Sequence, residues 1–133
     1  MRRLALKAIL PRLLVVEDDP DQSRILCDRL KLYGYAVSCA NDGPAALEML
    51  QTDSYTGLLL DLNLPTMPGH RVLEQARHAW PDLPVLVLSA SRAGIQSVQD
   101  SQPDACAYIL KPYNSSQLKQ ALVKSFGPRP EPV

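Results

Sequence analysis

The run Leu58-Leu59-Leu60-Asp61-Leu62-Asn63-Leu64-Pro65 sets three consecutive leucines directly before a carboxylate and a proline-containing turn. An apolar run this short, closed by turn residues, fits a strand buried on both faces, the kind found in parallel sheets covered by helices. Asp61 then stands where the chain leaves the core. In an open parallel sheet, the carboxyl ends of the strands are where ligands bind. A single Asp after a strand more often only starts a turn, so the remaining strands have to decide what Asp61 is for.

Four more runs read as strands, three of them apolar and 35–40 alternating. Residues 13–16 (Leu-Leu-Val-Val) end in Glu17-Asp18-Asp19, and 35–40 end in Asn41-Asp42-Gly43. Residues 85–88 deliver Ser89 and Ala90, and 107–110 deliver Lys111 before Pro112. Helical signals lie between the runs. Asp19 suits an N-cap, Pro20 the first helical position, and Gln22 the far corner of a capping box. That helix carries Ile25, Leu26, Leu30 and Tyr33 on one side and stops at Gly34. A second helix, 44–50, packs through Leu47 and Leu50. A third follows the loop 65–69, uses Val72, Leu73 and Ala76, and ends near Trp80-Pro81. Asn114 caps the last one, with Gln117 at N3 and Leu118, Ala121, Leu122 and Phe126 as its stripe. The fourth connection is weaker. Between Ala90 and Ala105 only Ile95 and Val98 can anchor a helix, and Pro103 prevents continuation past Gln102, so a short and poorly held helix is expected.

Strands alternating with helices define an α/β, flavodoxin-like, doubly wound parallel sheet of five strands in order 2-1-3-4-5, with about five helices on its two faces. Right-handed crossovers bring every strand's carboxyl end to one edge. Glu17 and Asp18, Asp61, Ser89 and Lys111 therefore share that edge, and the two acidic strands are neighbours at the switch point. Three acids so close repel unless a cation joins them. A hard divalent ion with oxygen ligands answers this, and Mg²⁺ suits a site only partly built by protein. Ser89 offers a hydroxyl and Lys111 a mobile cation for a phosphoryl oxygen. The chemistry so assembled is phosphoryl transfer to a carboxylate.

The patterns V-V-E-D-D, L-L-L-D-x-N-L-P-x-M-x-G, L-S-A and Y-I-L-K-P together resemble the receiver domain of two-component response regulators, over roughly residues 13–126. The resemblance implies that Asp61 accepts phosphate from a kinase phosphohistidine. It implies that Glu17 and Asp18 are the metal-binding pair, joined by the Asn63 backbone carbonyl. Ser89, the Ala90 backbone and Lys111 contact the phosphate, and Ser89 with Tyr108 forms the switch. It further implies a cis Lys111-Pro112 bond. Pro68 and Asp104 depart from the family's usual residues without touching the chemistry. The sparse fourth helix matters more, because partners commonly meet that face in this family. A sensor histidine kinase or phosphotransfer protein is the implied upstream partner, with an unidentified protein downstream, and the chain is expected to be a monomer or weak dimer.

Composition narrows the rest. The hydrophobic share of 46% allows a full core, and Lys plus Arg equals Asp plus Glu at 14 each, which gives no field to attract nucleic acid or an anionic membrane. No apolar run approaches the length of a membrane span. Cys27, Cys39 and Cys106 form no C-x-x-C pair and read as small buried apolar residues in a reducing cytoplasm. Residues 1–12 read as an N-terminal arm, 13–126 as the receiver domain, and the proline-rich 127–133 as a tail or linker stub, with no output domain after Phe126. His70 and His78 are expected in solvent, away from the strand ends, and Met67 is expected to pack. An aspartyl-nucleophile phosphohydrolase is the enzymatic alternative. Its D-x-D signature would follow the first strand, whereas here that spacing gives Asp61 and Asn63 after the third. A phosphorylation-independent docking module is the other alternative, and the complete acid-Ser-Lys set argues against it.

Overall fold

The computed structural model describes residues 10–102 and 106–128. Five strands, β1 (Arg12–Val16), β2 (Ala36–Ala40), β3 (Gly57–Asp61), β4 (Val85–Ser89) and β5 (Cys106–Leu110), alternate with five helices. The helices are α1 (Pro20–Leu32), α2 (Gly43–Thr52), α3 (Gly69–Ala79), α4 (Arg92–Ser101) and α5 (Ser115–Phe126). The sheet is wholly parallel in order β2-β1-β3-β4-β5, as the alternation predicts.

Every residue of β3 and β4 is buried, which is why these strands are unbroken apolar runs. Their side chains alternate between two cores. Leu14, Val16, Leu58, Leu60, Val85 and Val87 face α2, α3 and α4. Leu13, Val15, Leu59, Leu86 and Leu88 face α1 and α5. Asp19 caps α1 by accepting from the Asp21 and Gln22 amides, and Gly34 takes a positive φ of 97° just past the helix end. The α5 capping box of Asn114 and Gln117 is complete. Val72, Leu73 and Ala76 anchor α3, and Met67 packs against the same core.

Several expectations need correction. The first strand begins at Arg12, inside the expected arm, whereas residues 1–9 of that arm and most of the tail lie outside the described residues. Ile25 is 61% exposed. The buried stripe of α1 is Leu26, Cys27 and Leu30, and Ile25 is rotated about 100° off Leu26. The fourth helix is not short, at 10 residues, but Val98 is its one buried residue. The expectation of small buried apolar cysteines in a reducing cytoplasm is corrected at Cys27 and Cys39. They are joined as a disulfide between α1 and β2, with Cα atoms 7.5 Å apart, and Cys39 faces solvent. A crossover brings the two together, and local spacing carries no sign of that contact. The Cys106 side chain and Asp104 lie outside the described residues.

Candidate functional site

The backbone sets the site before any side chain does. Glu17 donates its N–H to the Ala40 carbonyl at 3.1 Å, Leu62 to Leu88 at 3.0 Å, and Lys111 to Ser89 at 2.8 Å. These bonds extend the parallel ladder one step beyond the strands and hold the strand ends level. Gly69 then returns the loop after Asp61, donating to the Leu62 carbonyl at 3.1 Å. A Cβ at this position would run into the Leu62 backbone, so the close approach requires glycine.

On this frame Glu17, Asp18 and Asp61 each offer a carboxylate oxygen, all within 4.8 Å of one another. Glu17 and Asp61 are each 5% exposed, whereas Asp18 faces solvent. The Lys111 ammonium enters the cluster, donating to Asp61 Oδ2 at 2.8 Å and Glu17 Oε1 at 3.1 Å. The other Asp61 oxygen, Oδ1, accepts the Asn63 N–H at 2.9 Å, so both carboxylate oxygens are oriented. Burial, reinforced by the neighbouring Asp61, pushes the Glu17 carboxyl up to about 7 despite Lys111. Burial works against the Lys111 charge, but its bonds to Asp61 and Glu17 outweigh that and raise it.

The donor set is all oxygen, with one lysine paired to two of the three acids, and this fits a hard divalent ion such as Mg²⁺. Ser89 is buried, and its hydroxyl is engaged in its own turn. It accepts from the Ser91 N–H at 3.0 Å and reaches the Ser91 carbonyl at 3.4 Å. Tyr108 is half-buried, and its hydroxyl reaches the Gln102 carbonyl at the end of α4 at 3.4 Å. The Lys111-Pro112 bond is cis, as the resemblance implies.

Two residues near the site were misplaced by sequence reasoning. His70 is exposed, but it lines a cavity of about 470 Å³ with Asn63, Ser89 and Ala90. It follows Gly69, whose bond to Leu62 brings the start of α3 back beside the strand ends. The Gln22 side chain does not close the expected capping box. It accepts from Lys111 Nζ at 3.1 Å.

Fold and site together define a parallel α/β domain with three carboxylates and one lysine gathered at one edge of the sheet. The family model for the response regulator receiver domain matches residues 13–123, and the chain belongs to that family. It is similar to response regulator MprA of Mycobacterium ulcerans, 37% identical over 107 residues, covering 80% of this chain and 46% of that protein. Response regulator protein FleR of Pseudomonas aeruginosa is 33% identical over 107 residues, covering 80% of this chain and 23% of that protein. The chain thus spans less than half the length of these relatives. Among solved structures, Thermotoga maritima response regulator TrrA in complex with Mg²⁺-BeF aligns with a TM-score of 0.79 and 27% identity, covering 86% of this chain and 98% of that one. A sensor protein from Polaromonas also aligns at 0.79, with 31% identity, 87% coverage of this chain and 95% of that one. The fold, the two-component class and the regulatory character of the family are established by these matches together.

Proposed function

We propose that Asp61 is the phosphoacceptor of a cytoplasmic receiver domain, taking its phosphoryl group from the phosphohistidine of a sensor kinase or phosphotransfer protein. One observation carries this reading. A buried carboxylate is shared with two further acids and is gripped by a lysine at 2.8 Å. One Asp61 oxygen forms the new O–P bond as the P–N bond breaks, and the imidazole leaves with that electron pair and takes a proton from water. The Asn63 N–H and the Lys111 ammonium hold the carboxylate plane during approach. Glu17, Asp18 and Asp61, with the Asn63 carbonyl, would hold Mg²⁺. When bound, it supplies positive charge against the acids and the transferred oxygens. Lys111 contacts a phosphoryl oxygen, and the Ala90 N–H and the Ser89 hydroxyl contact others.

The switch follows from the same placement. Ser89 leaves its turn to reach the phosphoryl group, Tyr108 follows, and the face around α4 changes. Support comes from two 3.4 Å hydrogen bonds, one from each hydroxyl, which lie near the limit of useful geometry. Among the described residues no helix is long and apolar enough to cross a membrane. The upstream partner is the kinase or phosphotransfer protein, and the changed α4 face serves a downstream protein. This chain itself contacts neither nucleic acid nor membrane, and it works as a monomer or weak dimer.

Incubation with acetyl phosphate and Mg²⁺ tests the core of this reading. Wild type is expected to gain one acid-stable, base-labile phosphoryl group on Asp61. Asp61→Asn, or EDTA, should abolish it. Label that survives either change removes Asp61 from the role.

A further inference from the structure

A lysine ammonium has three protons and no acceptor capacity. At Lys111 these protons meet Asp61 at 2.8 Å, Glu17 at 3.1 Å and, as the third partner, Gln22 Oε1 at 3.1 Å. The first two acceptors belong to the acid cluster, whose lone pairs are called on by an incoming cation or phosphoryl group. Gln22 is neutral and lies outside that cluster, so its hold on Lys111 does not depend on the charge state of the acids.

The Gln22 amide is itself oriented. Its Nε2 donates to Asp19 Oδ2 at 3.4 Å, and Asp19 is fixed as the α1 N-cap by the Asp21 and Gln22 amides. Reversing the amide would set an oxygen against the Asp19 carboxylate and an NH₂ against the ammonium, so partner chemistry fixes which end points where. A cap at the start of α1 is thereby linked through one side chain to the residue that follows β5. Lysine has many rotamers, and it gives up that freedom when it grips a phosphate.

We propose that Gln22 is a positioning residue for phosphoryl transfer: it holds the Lys111 ammonium over Asp61 before the donor arrives. This rests on the reading of Asp61 as phosphoacceptor and Lys111 as its phosphate contact. Gln22 acts through Lys111 and touches neither the metal-binding acids nor the reacting atoms.

Two substitutions separate positioning from a role in starting the helix. Gln22→Met keeps the length and loses the acceptor. Gln22→Glu keeps an acceptor for Lys111 but sets a carboxylate against Asp19. The probe is acetyl phosphate with Mg²⁺, read as the second-order rate of Asp61 labelling. The second readout is the ¹⁵N ammonium signal of Lys111 in the metal-free protein. Gln22→Met should slow labelling about three- to tenfold and broaden the ammonium signal, whereas Gln22→Glu should stay within about twofold of wild type. In a Lys111→Ala background Gln22→Met should have no further effect.

The proposal is overturned by Gln22→Met labelling at the wild-type rate, by Gln22→Glu being as slow as Gln22→Met, or by an undiminished Gln22→Met effect without Lys111. If wild type takes no label at all, the phosphoacceptor reading is what fails. The ammonium signal still reports whether Gln22 holds Lys111.

Discussion

Helices α4 and α5 are alike in length, at 10 and 12 residues, and each opens with a side-chain cap, Ser91 on the Gly94 amide and Asn114 on that of Gln117. Their burial differs sharply. α5 sinks Leu118 and Leu122 into the core, with Ala121 and Phe126 packed beside them, whereas α4 sinks Val98 alone. Caps decide where a helix begins, and buried apolar area decides how firmly it is held. The site lies between the two. Lys111 stands on the loop that leads into α5, and Ser89 and Tyr108 reach toward α4. One wall is anchored by two buried leucines and the other by one buried valine, so the surface switch proposed above would draw on the lightly held one.

Native-state hydrogen exchange should show the largest contrast. Amides of 118–126 should exchange only through global unfolding, a free energy on the order of 5–15 kcal/mol for a domain, and those of 92–101 through much cheaper local opening. Phosphorylation of Asp61 should slow exchange in α4 and leave α5 unchanged. Equal protection of the two helices in the unmodified protein would erase the distinction.

Truncation of the anchors sharpens the comparison next. Leu118→Ala should cost about 2–5 kcal/mol in urea denaturation, and Val98→Ala about 1–2 kcal/mol, because fewer methyl groups leave a less constrained wall. Labelling of Asp61 should persist in Val98→Ala. If Val98→Ala costs as much as Leu118→Ala, α4 is held by something other than its one buried residue.

A smaller effect is expected at the acid edge. Without metal, three carboxylates crowd together and one lysine pairs with only two of them, so Asp61→Asn should raise stability in EDTA by on the order of 1–2 kcal/mol, with Glu17 retaining Lys111. Mg²⁺ should stabilise wild type strongly and the variant little. Thermal melts of both proteins, with and without Mg²⁺, read this directly. A lower melting temperature for Asp61→Asn in EDTA would mean that its bond to Lys111 outweighs the repulsion.

The sheet was legible because double-sided burial leaves unbroken apolar runs such as 58–60 and 85–88, and because turn chemistry punctuates them. The acid and lysine positions followed from topology alone, since parallel strands put like ends together. What escaped was decided by partners distant in sequence. Gln22 has the spacing of a capping box, and Gln117 with the same spacing makes one. Lys111, 89 residues away, takes the Gln22 oxygen instead. The Cys27–Cys39 pairing is likewise a product of a crossover, whereas the return of His70 to the strand ends rests on the tight approach of Gly69 to Leu62. Ile25 fits a helical stripe as well as Leu26 does, and only the packing of α1 on the sheet chooses between them.

Titration of Glu17 tests whether the anchored wall responds independently of the other. The Glu17 carboxyl is raised from 4.5 to about 7 in the folded protein by burial and by Asp61. Between those values the folded state binds a proton that the unfolded chain does not. Stability from this group therefore rises as pH falls through 7 toward 4.5, and is lost as pH rises. In EDTA, wild type should be more stable at about pH 5.5 than at about pH 7.5, and Glu17→Gln should flatten that slope. With saturating Mg²⁺ the slope should reverse, since a cation needs the ionised carboxylates. The two walls should part company here. Protonating Glu17 relieves its repulsion with Asp61 and should raise the protection of residues tied to β1 and α5, after correction for intrinsic exchange. α4 contacts neither Glu17 nor Lys111 through any hydrogen bond among the described residues, so its local opening should be unmoved. Protection in α4 that follows the Glu17 titration would join the two walls into one cooperative unit, and the division of labour between them would have to be abandoned.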